Sequence, residues 1–207
     1  MMKRALQVVW IGLLAICSSI SVQAADSPAH DLVRGVSQQV ETLLADYRAG
    51  KLEGEEGLNN GVAKILDPVV SFKRIAAGVM GSHRKTASKE QKAAFLEKFK
   101  TELIRTYAKG MVGLGEFTIT VIDPEEDVTG KRRVSVLQDA ITAKGTTRIA
   151  YTMAQSRKTK QWKLINVVLD GVNMGKTFAG QFDDAMQRHS QDLDAVIATW
   201  GAEVENS

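Results

Sequence analysis

The spacing of apolar residues changes its period at Gly115, and that change limits the folds open to the chain. Before it, Val33, Val36, Val40, Leu43, Leu44 and Tyr47 recur at three-and-four spacing between Ala29 and Ala49. Such spacing places them on one face of a helix that stops near Gly50. Leu58, Val62, Ile65 and Leu66 mark a shorter second helix bounded by Pro68, and Val69, Phe72, Ala76 and Val79 mark a third, closed by Gly81. Ser88-Lys89-Glu90-Gln91 is a capping box, in which the Ser hydroxyl and the Gln side chain satisfy backbone donors at a helix start. From it Phe95, Phe99, Leu103 and Tyr107 follow at i+4 intervals, backed by Leu96 and Ile104, until Gly110, Gly113 and Gly115.

After Gly115 the period is two. Phe117, Ile119 and Val121 alternate with threonines, Val134 and Val136 with polar neighbours, and Ile149, Tyr151 and Met153 with Arg148, Ala150 and Thr152. A fourth run, Trp162, Leu164, Ile165, Val167, Val168 and Leu169, is apolar on both alternating faces, so both must be covered. The connections at Pro124–Gly130, Thr142–Gly145 and Ser156–Lys160 are too short for parallel crossovers and predict antiparallel neighbours. Phe178, Phe182 and Met186 then return to helical spacing, and Leu193, Val196, Ile197 and Trp200 form a last helix. The expected class is α+β: N-terminal helices, a four-stranded antiparallel sheet and C-terminal helices, with the helices on one side of the sheet.

Address and charge narrow the function. Lys3 and Arg4, an apolar span from Ala5 to Ile20, and Val22-Gln23-Ala24 have the form of a Sec-type signal peptide cleaved near Ala24. Residues 25–207 are then expected to be one exported domain, and the only cysteine, Cys17, leaves with the signal. Of 27 basic residues two lie in that segment, leaving 25 against 24 acidic ones. A near-neutral chain offers no basic face of the kind nucleic acid requires.

No catalytic constellation emerges. Gly175-Lys176-Thr177 follows a strand, but a phosphate-binding loop needs four residues between its first Gly and the Gly-Lys-Thr, and Gly171 is followed by only three. His30, His83 and His189 are scattered, with no cysteine to join them as metal ligands. Asp123, Glu125, Glu126 and Asp127 fall in a turn and suit a solvated loop, while Asp170 suits an acceptor for backbone donors of its own turn.

Three segments together resemble the MlaC, or toluene-tolerance, family of periplasmic phospholipid-binding proteins. They are Ile65-Leu66-Asp67-Pro68 through Gly78-Val79-Met80-Gly81; Thr86 through Gln91 with Phe95, Phe99, Leu103 and Arg105-Thr106-Tyr107-Ala108; and Trp162 to Phe182, containing Asp170-Gly171-Val172-Asn173-Met174. The chain departs from the family pattern at Asn166, Asn173, Ala179, His83 and Leu114. The resemblance implies a nuclear-transport-factor-like fold whose sheet and helices part around acyl chains. It implies phospholipid as cargo rather than a cofactor, no enzymatic activity, and a role in outer-membrane lipid asymmetry. It also implies two partners: an inner-membrane ring-forming lipid-binding complex with its ATPase, and an outer-membrane lipoprotein–porin complex.

Combined with the periodicity, this gives an expected lining. Helices contribute Phe72, Val79, Phe99, Leu103 and Tyr107; strands contribute Phe117, Ile119, Val134, Val136, Ile149, Tyr151, Met153, Ile165, Val167 and Leu169; and the following turn contributes Val172, Asn173 and Met174. For each of them ordinary core is the competing reading. Two other functions stay open at this point, a binding protein for a small apolar solute and an enzyme on a related scaffold.

Overall fold

The computed structural model describes residues 27–201, so the signal-like segment and Cys17 lie outside it. Four helices come first: α1 (Pro28–Arg48), α2 (Gly54–Leu66), α3 (Phe72–Val79) and α4 (Lys89–Gly113), with a short 3-10 turn at His83–Lys85. The capping box is formed: the Gln91 amide nitrogen of the backbone donates to Ser88 Oγ at 3.0 Å, and Ser88 N donates to Gln91 Oε1 at 3.0 Å. A meander follows, β1 (Phe117–Val121), β2 (Arg133–Thr142), β3 (Gly145–Gln155), β4 (Trp162–Leu169) and β5 (Val172–Asn173), and then α5 (Met174–Arg188) and α6 (Leu193–Thr199). The sheet order is β1-β2-β3-β4-β5, antiparallel throughout.

The sheet therefore has one strand more than the period-two pattern shows. β5 is only two residues long, too short for any alternation to register, and the Asp170-Gly171 turn creates it. Both turn residues have positive φ (45° and 83°), as a two-residue type I′ hairpin demands. A further piece of backbone joins the sheet at Val70, which bridges Leu164 in parallel: Leu164 N donates to Val69 O at 2.8 Å and Ser71 N to Leu164 O at 2.9 Å.

Register decides which side chains share a face. Val134, Val136 and Gln138 stand opposite Met153, Tyr151 and Ile149, and Ile119 stands opposite Ala140. Across the next ladder Ile149 faces Leu169 and Tyr151 faces Val167, but then Met153 faces Leu164 because a bulge intervenes. An inserted residue reverses the parity of the strand beyond it. Leu164, not Ile165, continues the face of Val167, so the expectation that Ile165 lines the same face as Val167 and Leu169 is corrected to that extent.

Side chains close into three apolar clusters. Phe95, Phe99, Phe182 and Trp200 stack between α4, α5 and α6, with Phe95–Phe182 ring centroids 4.9 Å apart and nearly perpendicular. Val40, Leu44, Leu58, Val62, Phe72, Ile104 and Met111 tie α1, α2, α3 and α4 together. Ala29 and Val33 at the start of α1 cover Val134, Val136 and Met153 on the sheet.

Candidate functional site

The long helix α4 packs on α2, α3 and α6, and has no comparable packing against β2 or β3. What lies between it and the sheet is a set of apolar side chains that are neither buried nor on an outward face. Leu103, Phe117, Ile119, Ile149, Tyr151 and Val167 are half-buried; Tyr107, Leu169 and Val172 are exposed, at 38 %, 39 % and 55 %. All the strand members of this set share the helix-facing side of the sheet by register.

Tyr107 defines the space. Its side chain is 38 % exposed, yet burial pushes its hydroxyl up to about 12. Surrounding protein desolvates the phenol although part of the residue stays open, as for a side chain on the wall of a recess between α4 and the sheet. Tyr151, across on β3, is likewise raised well above the ordinary tyrosine value, first by burial and then by the nearness of Tyr107, against an opposing hydrogen bond from Gln138. The two phenols are therefore near enough to influence one another, one on α4 and one on β3.

Behind Tyr151 runs a polar chain that the sequence reading did not include. Ser37 on α1 donates from Oγ to Gln138 Oε1 at 2.8 Å, and Gln138 Nε2 donates to the Tyr151 hydroxyl at 3.1 Å. Gln138 is 3 % exposed, at a position where the alternation Val134, Val136 calls for an apolar residue. That mismatch was the available signal. A hydroxyl deprived of water without a partner costs about 1–3 kcal/mol, so the phenol protons at this level require an acceptor once the recess fills.

The expected lining separates into two groups. Leu103, Tyr107, Phe117, Ile119, Ile149, Tyr151, Val167, Leu169 and Val172 form the partly open apolar surface. Phe72, Val79, Phe99, Val134, Val136 and Met153 are buried within the three clusters, between 0 % and 7 % exposed, and present closed packing. Ile165 sits in the bulge, and Met174 is the half-buried first residue of α5. Asn173 is the N-cap of α5, its Oδ1 accepting from Lys176 N at 3.1 Å. Gly175 lets this helix start press on the sheet, since a Cβ there would stand 2.6 Å from Asn166 Oδ1.

The ionisable groups have structural partners. Asp170 Oδ1 accepts from Arg148 N at 2.8 Å and Asp170 N donates to Arg148 O at 2.9 Å, so the carboxylate clamps the β4–β5 turn to β3 rather than closing on its own turn. His30 is buried beside Ser27, with Nδ1 2.6 Å from Oγ, and its pKa is lowered by burial and then by Arg34. His83 Nε2 lies 2.9 Å from Asp183 Oδ1 beside a polar cleft of about 330 Å³. That cleft is lined by His83, Thr86, Gln91, Gln191 and Asp192 and shares no residue with the recess.

Comparison with known proteins places this geometry. The family model described as MlaC protein matches residues 35–202. The toluene tolerance protein Ttg2D of Pseudomonas putida is 33 % identical over 199 residues, covering 93 % of this chain and 89 % of that one. The intermembrane phospholipid transport system binding protein MlaC of Haemophilus influenzae is 24 % identical over 144 residues, 67 % of each chain. A phospholipid-binding protein from Ralstonia solanacearum, solved in complex with a phospholipid, superposes with a TM-score of 0.70 at 20 % identity, over 86 % of this chain and 97 % of that one, and so shares the fold. With four-fifths of its length inside the family model and a relative at 33 % identity along nearly all of it, the chain belongs to the MlaC family.

Proposed function

We propose that this protein is a periplasmic carrier of diacyl phospholipid, which covers the acyl chains in the recess between α4 and the sheet. The observation that carries this reading is the unfilled apolar face itself: Leu103 and Tyr107 on one layer, and Ile149, Val167, Leu169 and Val172 on the other, left partly open. A contiguous apolar surface of this kind in a protein of the MlaC family suits an apolar ligand rather than a closed core.

The energetics explain why such a carrier is needed. Burial of one CH2 contributes about 0.8 kcal/mol, so two chains of about 16 carbons would cost roughly 25 kcal/mol to expose to water. Unaided transfer across an aqueous space is therefore extremely slow. A bilayer and an apolar recess offer similar environments, so exchange between them is nearly balanced and direction must come from partners. The ring-forming inner-membrane complex with its ATPase and the outer-membrane lipoprotein–porin complex belong to this reading as the two partners with which lipid is exchanged. Binding rather than chemical conversion is the activity this reading assigns, and the one carboxylate beside the buried strand, Asp170, serves to hold a turn.

The test is organic extraction of protein isolated from a periplasmic fraction, with mass spectrometry of what is released in stoichiometric amount. Diacyl phospholipid at one or two molecules per chain is the expected result. A ligand with far fewer carbons would favour a small apolar solute. Absence of lipid, persisting after phospholipid is added back to folded protein, would overturn the reading.

A further inference from the structure

We propose that the Tyr107–Tyr151 pair, backed by Gln138 and Ser37, is a hydrogen-bond donor site that recognises an ester carbonyl oxygen of the bound lipid and thereby fixes how deeply it sits. The inference rests on the carrier reading and specifies the chemistry of the same recess.

The direction of the hydrogen bonds makes the site a donor. Ser37 donates to Gln138, and the Gln138 amide can then only pass its own N–H onward, which it does to the Tyr151 oxygen at 3.1 Å. With its oxygen already accepting, Tyr151 has its proton left to give, and each donor in such a chain polarises the next. That proton is left for another acceptor on the helix-facing side of the sheet, the side that Tyr151 shares with Gln138 by register. Tyr107, near Tyr151 on α4, offers a second phenol proton, and the apolar neighbours Leu103, Ile149 and Val167 offer no acceptor.

A lipid carries acceptor oxygens only at its head and glycerol region; its chains have none. When acyl chains displace water from the recess, the phenols gain a partner only if the glycerol-ester region lies at their level. The partial exposure of Tyr107 and the half-burial of Tyr151 fit an intermediate level, as the ester carbonyls of a bilayer lipid lie between its chains and water. Phosphate oxygens are stronger acceptors, but a charged phosphate held among Leu103, Ile149 and Val167 has no cation there to offset its desolvation. The carbonyl is neutral and suits the place.

The experiment compares two lipids that differ only in having or lacking the ester carbonyls. Lipid-stripped protein is titrated with diacyl phosphatidylglycerol and with the dialkyl ether analogue of equal chain length, which lacks both carbonyls. Wild type is expected to prefer the ester by about five- to tenfold, the value of one well-made hydrogen bond. In Tyr151→Phe the ester-to-ether ratio should fall toward one, and Tyr107→Phe should lower it in part. Using the ratio removes any general effect of a substitution on folding or on the volume of the recess. Carbonyl-labelled lipid supplies a second readout, its ester infrared band shifting down on binding to wild type but not to Tyr151→Phe. Equal binding of ester and ether lipid by wild type, or an ester preference that survives both substitutions, would overturn the assignment. If neither lipid binds, the carrier reading fails and this inference falls with it.

Discussion

Val172 stands directly opposite Leu169 across the β4–β5 hairpin, and both side chains lie on the helix-facing side, 55 % and 39 % exposed. Both leave much of their apolar surface open in the folded protein, surface that bound acyl chains would cover. Val172→Glu is expected to leave the melting temperature within about a degree or two, since exposed substitutions usually change stability by less than ~0.5 kcal/mol. Co-purified phospholipid should nevertheless drop at least about tenfold, because a carboxylate at the rim would have to be desolvated against acyl chains. Quantifying lipid per folded chain checks this; unchanged lipid would remove Val172 from the site.

Phe99 makes the opposite case. It is 1 % exposed, with ring centroids 5.8 Å from both Phe95 and Phe178. Phe99→Leu should lower stability by roughly 1 kcal/mol through imperfect repacking. Lipid bound per folded chain should not change. A loss of lipid with stability intact would place Phe99 on the ligand instead of in the core.

At Asp170 two substitutions separate a structural carboxylate from a chemical one. Asn keeps an oxygen for the Arg148 amide and tolerates a positive φ, so Asp170→Asn should be nearly neutral. Asp170→Ala loses the acceptor and strains the turn, and should cost about 1–2 kcal/mol in chemical denaturation. Loss of lipid binding in the Asn variant at unchanged stability would contradict this assignment.

His30 gives a pH dependence with a definite sign. Burial lowers its pKa in the folded state below the ordinary 6.5, with Arg34 lowering it further and Asp123 and Asp31 opposing. The unfolded chain therefore takes up the proton first as pH falls. Stability from this group is complete above about pH 6.5, declines below it, and levels off once pH passes the folded pKa. Melting temperatures of wild type and His30→Gln between pH 7.5 and 5 should converge or cross as pH falls. Parallel curves would show that His30 does not titrate differently on folding.

The helices and the four longer strands were legible because each buries one face, and a buried face imposes its period on the sequence. Ser88 and Gln91 announced the start of α4 through a local rule that needs no tertiary context. Features set by pairing between distant segments were not legible. The bulge that brings Leu164 onto the face of Val167 depends on β3, while β5, a neighbour of β4 in the chain, is too short to show an alternation. Recess and core look alike in sequence for the same reason: Tyr107 and Phe99 lie on one helical stripe, and only the distance of α4 from the sheet leaves one partly open while α5 and α6 close over the other. Gln138 was visible as a polar residue in an apolar alternation, but its meaning required Ser37 and Tyr151, 101 and 13 residues away in the chain.

The parallel bridge at Val70 bears on how a protein with a greasy opening stays dispersed. An unpaired strand edge is a template for other chains, and apolar residues beside it would make that template adhesive. Val69 and Ser71 occupy the backbone groups of Leu164 on the outer side of β4, and farther along the same side β5 pairs for two residues before the chain turns into α5. Val172 is thus displayed at the tip of a ribbon too short for a neighbouring molecule to extend. Stickiness toward lipid is kept apart from the backbone hydrogen bonding that would lead to fibrous association.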